Sequence, residues 1–234
     1  MTMYSPNKTY NSIIFDCDGV ILNSNAIKSG MFKTVLSEFG DQAVEEYLDF
    51  HKESMGVSRF GKFNYFVENI LPKTLGNLSA TEKEYFEKYL LAQFATQIQS
   101  ALKNCEIAKD IDTLRSLLPN SDWYVVSGGV QSELRSTFKN RNIDHLFNGG
   151  IYGSPADKYS ISENLIRNMK IQYPVLSIGD SILDYKVSQK HNFDFVFLSE
   201  WTEASNWKSY FANKEICTFL NISGLCGHIY TNTF

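Results

Sequence analysis

Five short runs of apolar residues punctuate the chain, at Ser12–Phe15, Trp123–Val126, Phe147–Tyr152, Val175–Ile178 and Phe193–Leu198. Several are apolar on successive residues rather than on alternate ones. That is the pattern of strands covered on both faces, as in parallel sheets. Between the runs the spacing changes to that of helices. Met31, Val35, Leu36 and Phe39 fit one helical face, and Phe86, Leu90, Phe94 and Ile98 recur every four residues as in a long amphipathic helix. Ile111, Leu114 and Leu118 mark another helix, stopped by Pro119-Asn120-Ser121. Val130, Leu134 and Phe138 follow the second strand, and Ser160 to Glu163 reads as a capping box before Leu165, Ile166 and Met169.

From Trp123 onward strands and helices alternate, which implies right-handed crossovers and a parallel α/β sheet. About a hundred residues separate the first strand from the second, too many for a structureless loop in a compact domain. That stretch is helical in pattern, rich in aromatics and without a convincing strand. The expected organisation is an α/β core of residues 1–23 and 103–234, interrupted by a helical domain of residues 24–102.

Composition narrows the classes. With 234 residues and 43% hydrophobic content the chain can bury a real core, which argues against disorder. The net charge of −4 argues against broad binding to nucleic acid or anionic membrane, and leaves room for a small anion held locally. No apolar run approaches membrane-spanning length, and the opening MTMYSPNKTYNS has no signal-like apolar region, so a cytoplasmic location is expected. Cys17, Cys105, Cys217 and Cys226 show no CxxC spacing and read as free thiols; Cys17 has no histidine close in sequence to serve as its base.

In open parallel sheets, ligands bind beyond the carboxyl ends of the strands. The first strand ends in Asp16-Cys17-Asp18-Gly19, the second in Ser127-Gly128-Gly129 and the fourth in Gly179-Asp180-Ser181, with Asp184 four residues after Asp180. Lys158 follows the third strand, shortly before a helix. Asp16, Asp18, Asp180 and Asp184 gather negative charge that a hard cation such as Mg²⁺ would relieve, with one lysine expected nearby. Ser127, the Gly-Gly amides and Lys158 offer donors and positive charge suited to a phosphoryl group. Together they supply what phosphoryl transfer needs: a nucleophile, an acid/base and charge stabilisation.

This set resembles the haloacid dehalogenase superfamily. Its first motif, DxDG[TV], is matched by Asp16-Cys17-Asp18-Gly19-Val20; its second, a Ser or Thr, by Ser127; its third, a lysine, by Lys158; its fourth, GDxxxD, by Asp180 and Asp184 within GDSILD. Any one motif is weak, and four in order at strand ends are specific. The resemblance reaches to about Leu198 and leaves the tail unexplained. It implies a Rossmann-like three-layer core with an inserted helical cap. It implies Asp16 as nucleophile, forming an aspartyl-phosphate, and Asp18 as acid and then base. Ser127, Gly128 and Lys158 would hold the phosphoryl group. Mg²⁺ would sit on Asp16, the backbone carbonyl of Asp18 and Asp180, with Asp184 close by or one shell out.

The insert resembles the cap of phosphoglycolate phosphatases and β-phosphoglucomutases. In its segment MGVSRFGKF, Arg59 and, second, Lys62 are candidates for the far end of a substrate. Asn23 stands where many capped relatives carry Asp. Lys170, late in a helix, is a poorer rival to Lys158. The expected function is Mg²⁺-dependent hydrolysis of a small phosphorylated metabolite, a sugar phosphate or phospho-acid. The alternatives are a sugar phosphomutase on the same scaffold and a non-catalytic binding protein. Oligomeric state is not legible.

Overall fold

The computed structural model describes residues 4–233. Six strands, β1 (Ser12–Phe15), β2 (Asp122–Val130), β3 (Gly150–Ser154), β4 (Val175–Gly179), β5 (Asp194–Leu198) and β6 (Cys217–Phe219), form one sheet in the order β3-β2-β1-β4-β5-β6. Every pairing is parallel. Successive apolar residues serve opposite faces. Ile13, Phe15, Trp123 and Val125 belong to the larger core cluster, and Ile14, Tyr124 and Val126 to the cluster on the other side. This two-sided burial is why the strands read as unbroken apolar runs. Helices α6 (Ile111–Leu117), α7 (Gln131–Asn140), α8 (Lys158–Arg167), α9 (Ile182–Lys190), α10 (Trp207–Phe211) and α11 (Ile222–Thr233) accompany the sheet.

The span between β1 and β2 is helical: α1 (Asn25–Leu36), α2 (Asp41–Glu53), α3 (Arg59–Tyr65) running through a π-turn into α4 (Leu71–Leu75), and α5 (Ala80–Leu102). Helix α5 starts at a capping box between Ser79 and Glu82 and buries Leu90, Phe94 and Ile98. Those side chains pack with Phe32, Tyr47 and Phe63, so the aromatics of the insert pack on one another and are continuous with the larger core of the sheet. No helix among the described residues is long and apolar enough to cross a membrane.

Three local expectations need correction. The cap of α8 is Asp157, whose carboxylate accepts the Ser160 N–H at 2.7 Å, and the helix begins at Lys158. Asp157 takes precedence over Ser160 because it lies three residues earlier and supplies the same capping geometry. Strand β3 begins at Gly150, after a 3₁₀ turn at Asp144–Leu146, rather than at Phe147. Strand β2 runs on through Ser127-Gly128-Gly129 to Val130, so Val130 precedes α7 instead of lying on its face. The tail supplies β6 and α11. Ile222, Leu225, Cys226 and Ile229 of α11 recur at 3, 1 and 3 residues and are buried in the main core.

Candidate active site

Strand β1 delivers Asp16 to the carboxyl edge of the sheet, and the chain leaves through Gly19, which has φ +77°. A side chain there would strike the Asp180 carboxylate and the Asn25 amide, so glycine answers both the backbone conformation and the crowding. The four cysteines are free, and burial pushes the Cys17 thiol well up, away from nucleophilic use.

Lys158, the first residue of α8, is buried between two carboxylates: its Nζ lies 2.8 Å from Asp16 and 2.6 Å from Asp184. Burial opposes the charge on Lys158, but Asp16 and Asp184 outweigh it and hold the amine above its ordinary value. The other oxygen of Asp184 accepts the Ser181 hydroxyl at 2.6 Å as part of the capping box of α9. Asp180 accepts a hydrogen bond from Asn25 Nδ2 at 2.7 Å. Oxygens of Asp16, Asp180 and Asp184 all lie within 4.8 Å of one another, and all three residues are buried. Burial raises Asp16 to about 7; Lys158 pulls against it, and Asp184 and Asp18 add to it. Asp180 is raised well above the carboxylate range by burial and then by Asp16 and Asp184. A buried acidic group this crowded fits a hard divalent cation held by oxygens. Asp184 carries the most donors of the three, Lys158 on one oxygen and the Ser181 hydroxyl and N–H on the other, whereas Asp16 takes Lys158 and the Cys17 N–H.

Asp18 is treated differently. Its carboxylate accepts Ser24 Oγ at 2.5 Å and Lys28 Nζ at 2.5 Å. Burial would raise it, but Lys28 and Ser24 outweigh burial and hold it below its ordinary value. Two lysines therefore serve the acidic group, not the single one expected from sequence. Lys170 is away from the site, with its Nζ 3.3 Å from the Tyr152 hydroxyl.

The Ser127 hydroxyl is buried and accepts the Gly129 N–H at 3.0 Å, while Gly128 and Gly129 line the adjoining cavity. A Cβ on Gly128 would lie 2.5 Å from the Gly56 carbonyl oxygen, so the insert's loop can approach only because position 128 has no side chain. The cavity lies between core and insert. Asp16, Asp18 and Asp180 face it from the core, and Lys28, His51, Arg59 and Lys62 from the insert.

Arg59 and Lys62 are both buried in this wall, with different partners. The Arg59 guanidinium pairs with Glu133 of α7 and lies 5.0 Å over the Phe94 ring. Its charge is thus already matched by a core carboxylate. Lys62 Nζ lies 2.7 Å from Nδ1 of His51 and pairs with no carboxylate among the described residues. Burial, aided by Lys28, pushes Lys62 down to about 7, and burial with Lys62 pushes His51 down to about 2. Lys28, Asn25, His51 and Glu133 were not singled out from sequence. Ser24, Asn25 and Lys28 lie at the start of α1, a spacing that could have flagged them; His51 and Glu133 carry no local signal. Asn23 sits where the chain passes from core to insert, its N–H on the Glu106 carbonyl at 2.9 Å.

The chain resembles solved structures along nearly its whole length. A predicted phosphoglycolate phosphatase from Haemophilus somnus superposes with a TM-score of 0.72 at 18% identity, covering 97% of this chain and 100% of that one. A predicted phosphatase from Clostridium acetobutylicum gives 0.70 at 16%, covering 96% and 100%. A haloacid dehalogenase-like family protein from Streptococcus pneumoniae gives 0.65 at 16%, covering 94% and 99%. At these identities the likeness is one of fold. No curated protein matches the chain. The model of the haloacid dehalogenase-like hydrolases matches residues 13–198, from within β1 to the end of β5, and takes in each of the four acidic, serine and lysine motifs. The chain belongs to the haloacid dehalogenase-like hydrolase family.

Proposed function

We propose that the protein is a Mg²⁺-dependent phosphomonoesterase that acts on a small phosphorylated metabolite through an aspartyl-phosphate on Asp16, with residues 24–102 serving as its cap domain. The observation that carries this reading is the placement of Lys158 between Asp16 and Asp184, while Asp16 and the neighbouring Asp180 line a cavity walled on its other side by the insert. Lys158 orients Asp16 and offsets the charge of an incoming phosphoryl group. Asp16, Asp180 and the Asp18 carbonyl would hold Mg²⁺, with Asp184 behind them on Lys158 and Ser181. Bound there, the ion would neutralise carboxylate and phosphoryl charge together.

The chain's own groups divide the remaining work. An Asp16 oxygen attacks phosphorus as the ester oxygen leaves, and Asp18 gives that oxygen its proton. Asp18 next takes a proton from water as the water attacks the acyl phosphate. Lys28 is suited to regulate this exchange: a phosphoryl oxygen competing for its ammonium would loosen the grip on Asp18 and let its pKa rise toward the donating range. Ser127 and the Gly128 amide would hold phosphoryl oxygens, as the sequence motifs imply. Seating of the insert on the core would exclude water during the first step.

The far end of the substrate meets Lys62 rather than Arg59, because Arg59 is already matched by Glu133 while Lys62 has only a neutral imidazole. A buried cation without a carboxylate is costly on its own and suits an anionic or strongly accepting group on the ligand. The test is p-nitrophenyl phosphate hydrolysis with Mg²⁺ and with EDTA, followed by a panel of phosphorylated metabolites. Activity restored by Mg²⁺ supports the reading; full activity in excess chelator contradicts it.

A further inference from the structure

Glu203 lies in the loop that follows β5, outside every motif of the family. That loop is fixed to the catalytic edge, because the Thr202 hydroxyl donates to the Asp180 carbonyl at 2.7 Å and Asn25 Nδ2 donates to the Trp201 carbonyl at 2.9 Å. From there Glu203 crosses to the insert and accepts the hydroxyl of Ser29 on α1. Ser29 Oγ in turn lies 2.9 Å from Nε2 of His51 on α2, and His51 Nδ1 lies 2.7 Å from Nζ of Lys62 on α3. One core loop and three helices of the insert are strung on a single line of hydrogen bonds that ends at the cavity.

The directions of those bonds follow from proton counting. A carboxylate only accepts, so Ser29 spends its one hydroxyl proton on Glu203. Ser29 can then only accept from His51, which places the imidazole proton on Nε2. Nδ1 is left bare and accepts from Lys62, whose ammonium has donors only. Without Glu203, the Ser29 hydroxyl is free to turn and donate to Nε2. The imidazole proton can then sit on Nδ1 and donate to Lys62 in its neutral amine form, which its lowering to about 7 makes accessible, so the ammonium is no longer the favoured partner.

We infer that Glu203 is a positioning residue: through Ser29 it fixes the His51 tautomer that holds Lys62 in the cavity wall, and so lets the seated core–insert interface set the site for the substrate's far end. The choice of Lys62 as the far-end contact rests on the functional reading above; the tautomer relay does not.

The test has two arms. Histidine-selective ¹⁵N labelling of the full chain gives four ring systems, with His51 assigned by His51→Gln. The wild type is expected to show His51 neutral with its proton on Nε2. Glu203→Ala and Ser29→Ala are expected to move that proton toward Nδ1, and Glu203→Gln, which retains an acceptor oxygen, to restore the wild-type pattern. A proton on Nδ1 in the wild type, or a spectrum unchanged in Glu203→Ala, overturns the relay. In the second arm, 2-phosphoglycolate serves as an anion-bearing probe, read as competitive inhibition of p-nitrophenyl phosphate hydrolysis. Its inhibition constant is expected to rise about tenfold in Glu203→Ala and in Lys62→Ala, with no further rise in the double variant. Turnover of p-nitrophenyl phosphate by Glu203→Ala is expected to stay within about twofold. Multiplicative losses in the double variant overturn the coupling. An inhibition constant untouched by Lys62→Ala overturns the far-end role alone and leaves the tautomer result standing.

Discussion

Lys28 pairs with Asp18 while Lys158 pairs with Asp16 and Asp184, so the carboxylates of the site sit in unlike environments. Asp18 is held down by Lys28 and Ser24 against its burial, whereas Asp16 and Asp180 are driven up by burial and mutual repulsion. Neighbouring acids with environments this different are suited to different tasks. His51 gives a test at the same scale. Its imidazole is held down to about 2 in the folded protein, while an exposed histidine in the unfolded chain takes up a proton near pH 6.5. Below that pH the unfolded state binds the extra proton, so stability falls as the pH falls, by up to about 1.4 kcal/mol per unit. Between pH 6.5 and 5 the wild type is therefore expected to lose about 1–2 kcal/mol more stability than His51→Gln in urea unfolding. Equal losses in the two proteins would mean that His51 titrates freely in the fold.

The elements make their contributions through backbone approach and packing. Gly128 lies in the irregular stretch of β2 between Val126 and Val130 and receives the Gly56 loop of the insert against its bare Cα. Gly128→Ala would force that loop away from the core, an overpacking cost of about 1–3 kcal/mol set against closure. The expected reading is a loss of about tenfold or more in kcat/KM with a small change in thermal stability; unchanged kinetics would show that the loop has room to give. Helix α11 packs four buried side chains into the main core. Leu225 is fully buried in the main core, so Leu225→Ala is expected to cost about 2–5 kcal/mol in unfolding while kcat stays near wild type. Much of this was legible in the chain. The strands announce themselves because both faces are buried, and the acidic and serine motifs stand out because they interrupt apolar runs at their carboxyl ends. Other parts were hidden for physical reasons. Strand β6 has three residues, none of them buried, so no apolar run marks it. Asp157 and Ser160 present overlapping capping signals three residues apart, and the pattern alone does not choose between them. His51, Glu133 and Glu203 act through partners 11, 74 and 174 positions away, and no local pattern encodes such pairings.

At the scale of the molecule, the insert sits on the carboxyl edge of the sheet and closes the cavity through charged contacts as well as packing. Lys28 reaches Asp18, Asn25 reaches Asp180, Arg59 reaches Glu133 and Ser29 reaches Glu203. Each bond joins the insert to the core, and two of them end on carboxylates assigned to the chemistry. The contacts that seat the insert are therefore also contacts that hold the acids, so on the proposed reading a loosened insert would disturb both. The central claim is that Asp16 receives the phosphoryl group, and it has a direct measurement. Asp18→Asn slows breakdown of the acyl phosphate by removing the base, on the order of 10²–10⁴-fold. This variant, mixed with p-nitrophenyl phosphate and Mg²⁺, quenched and reduced with borohydride, is expected to carry homoserine at position 16 by peptide mass spectrometry, with none formed in Asp16→Asn. Asp18→Asn that releases nitrophenolate with Asp16 unmodified, or with the phosphoryl group on another residue, would contradict the account.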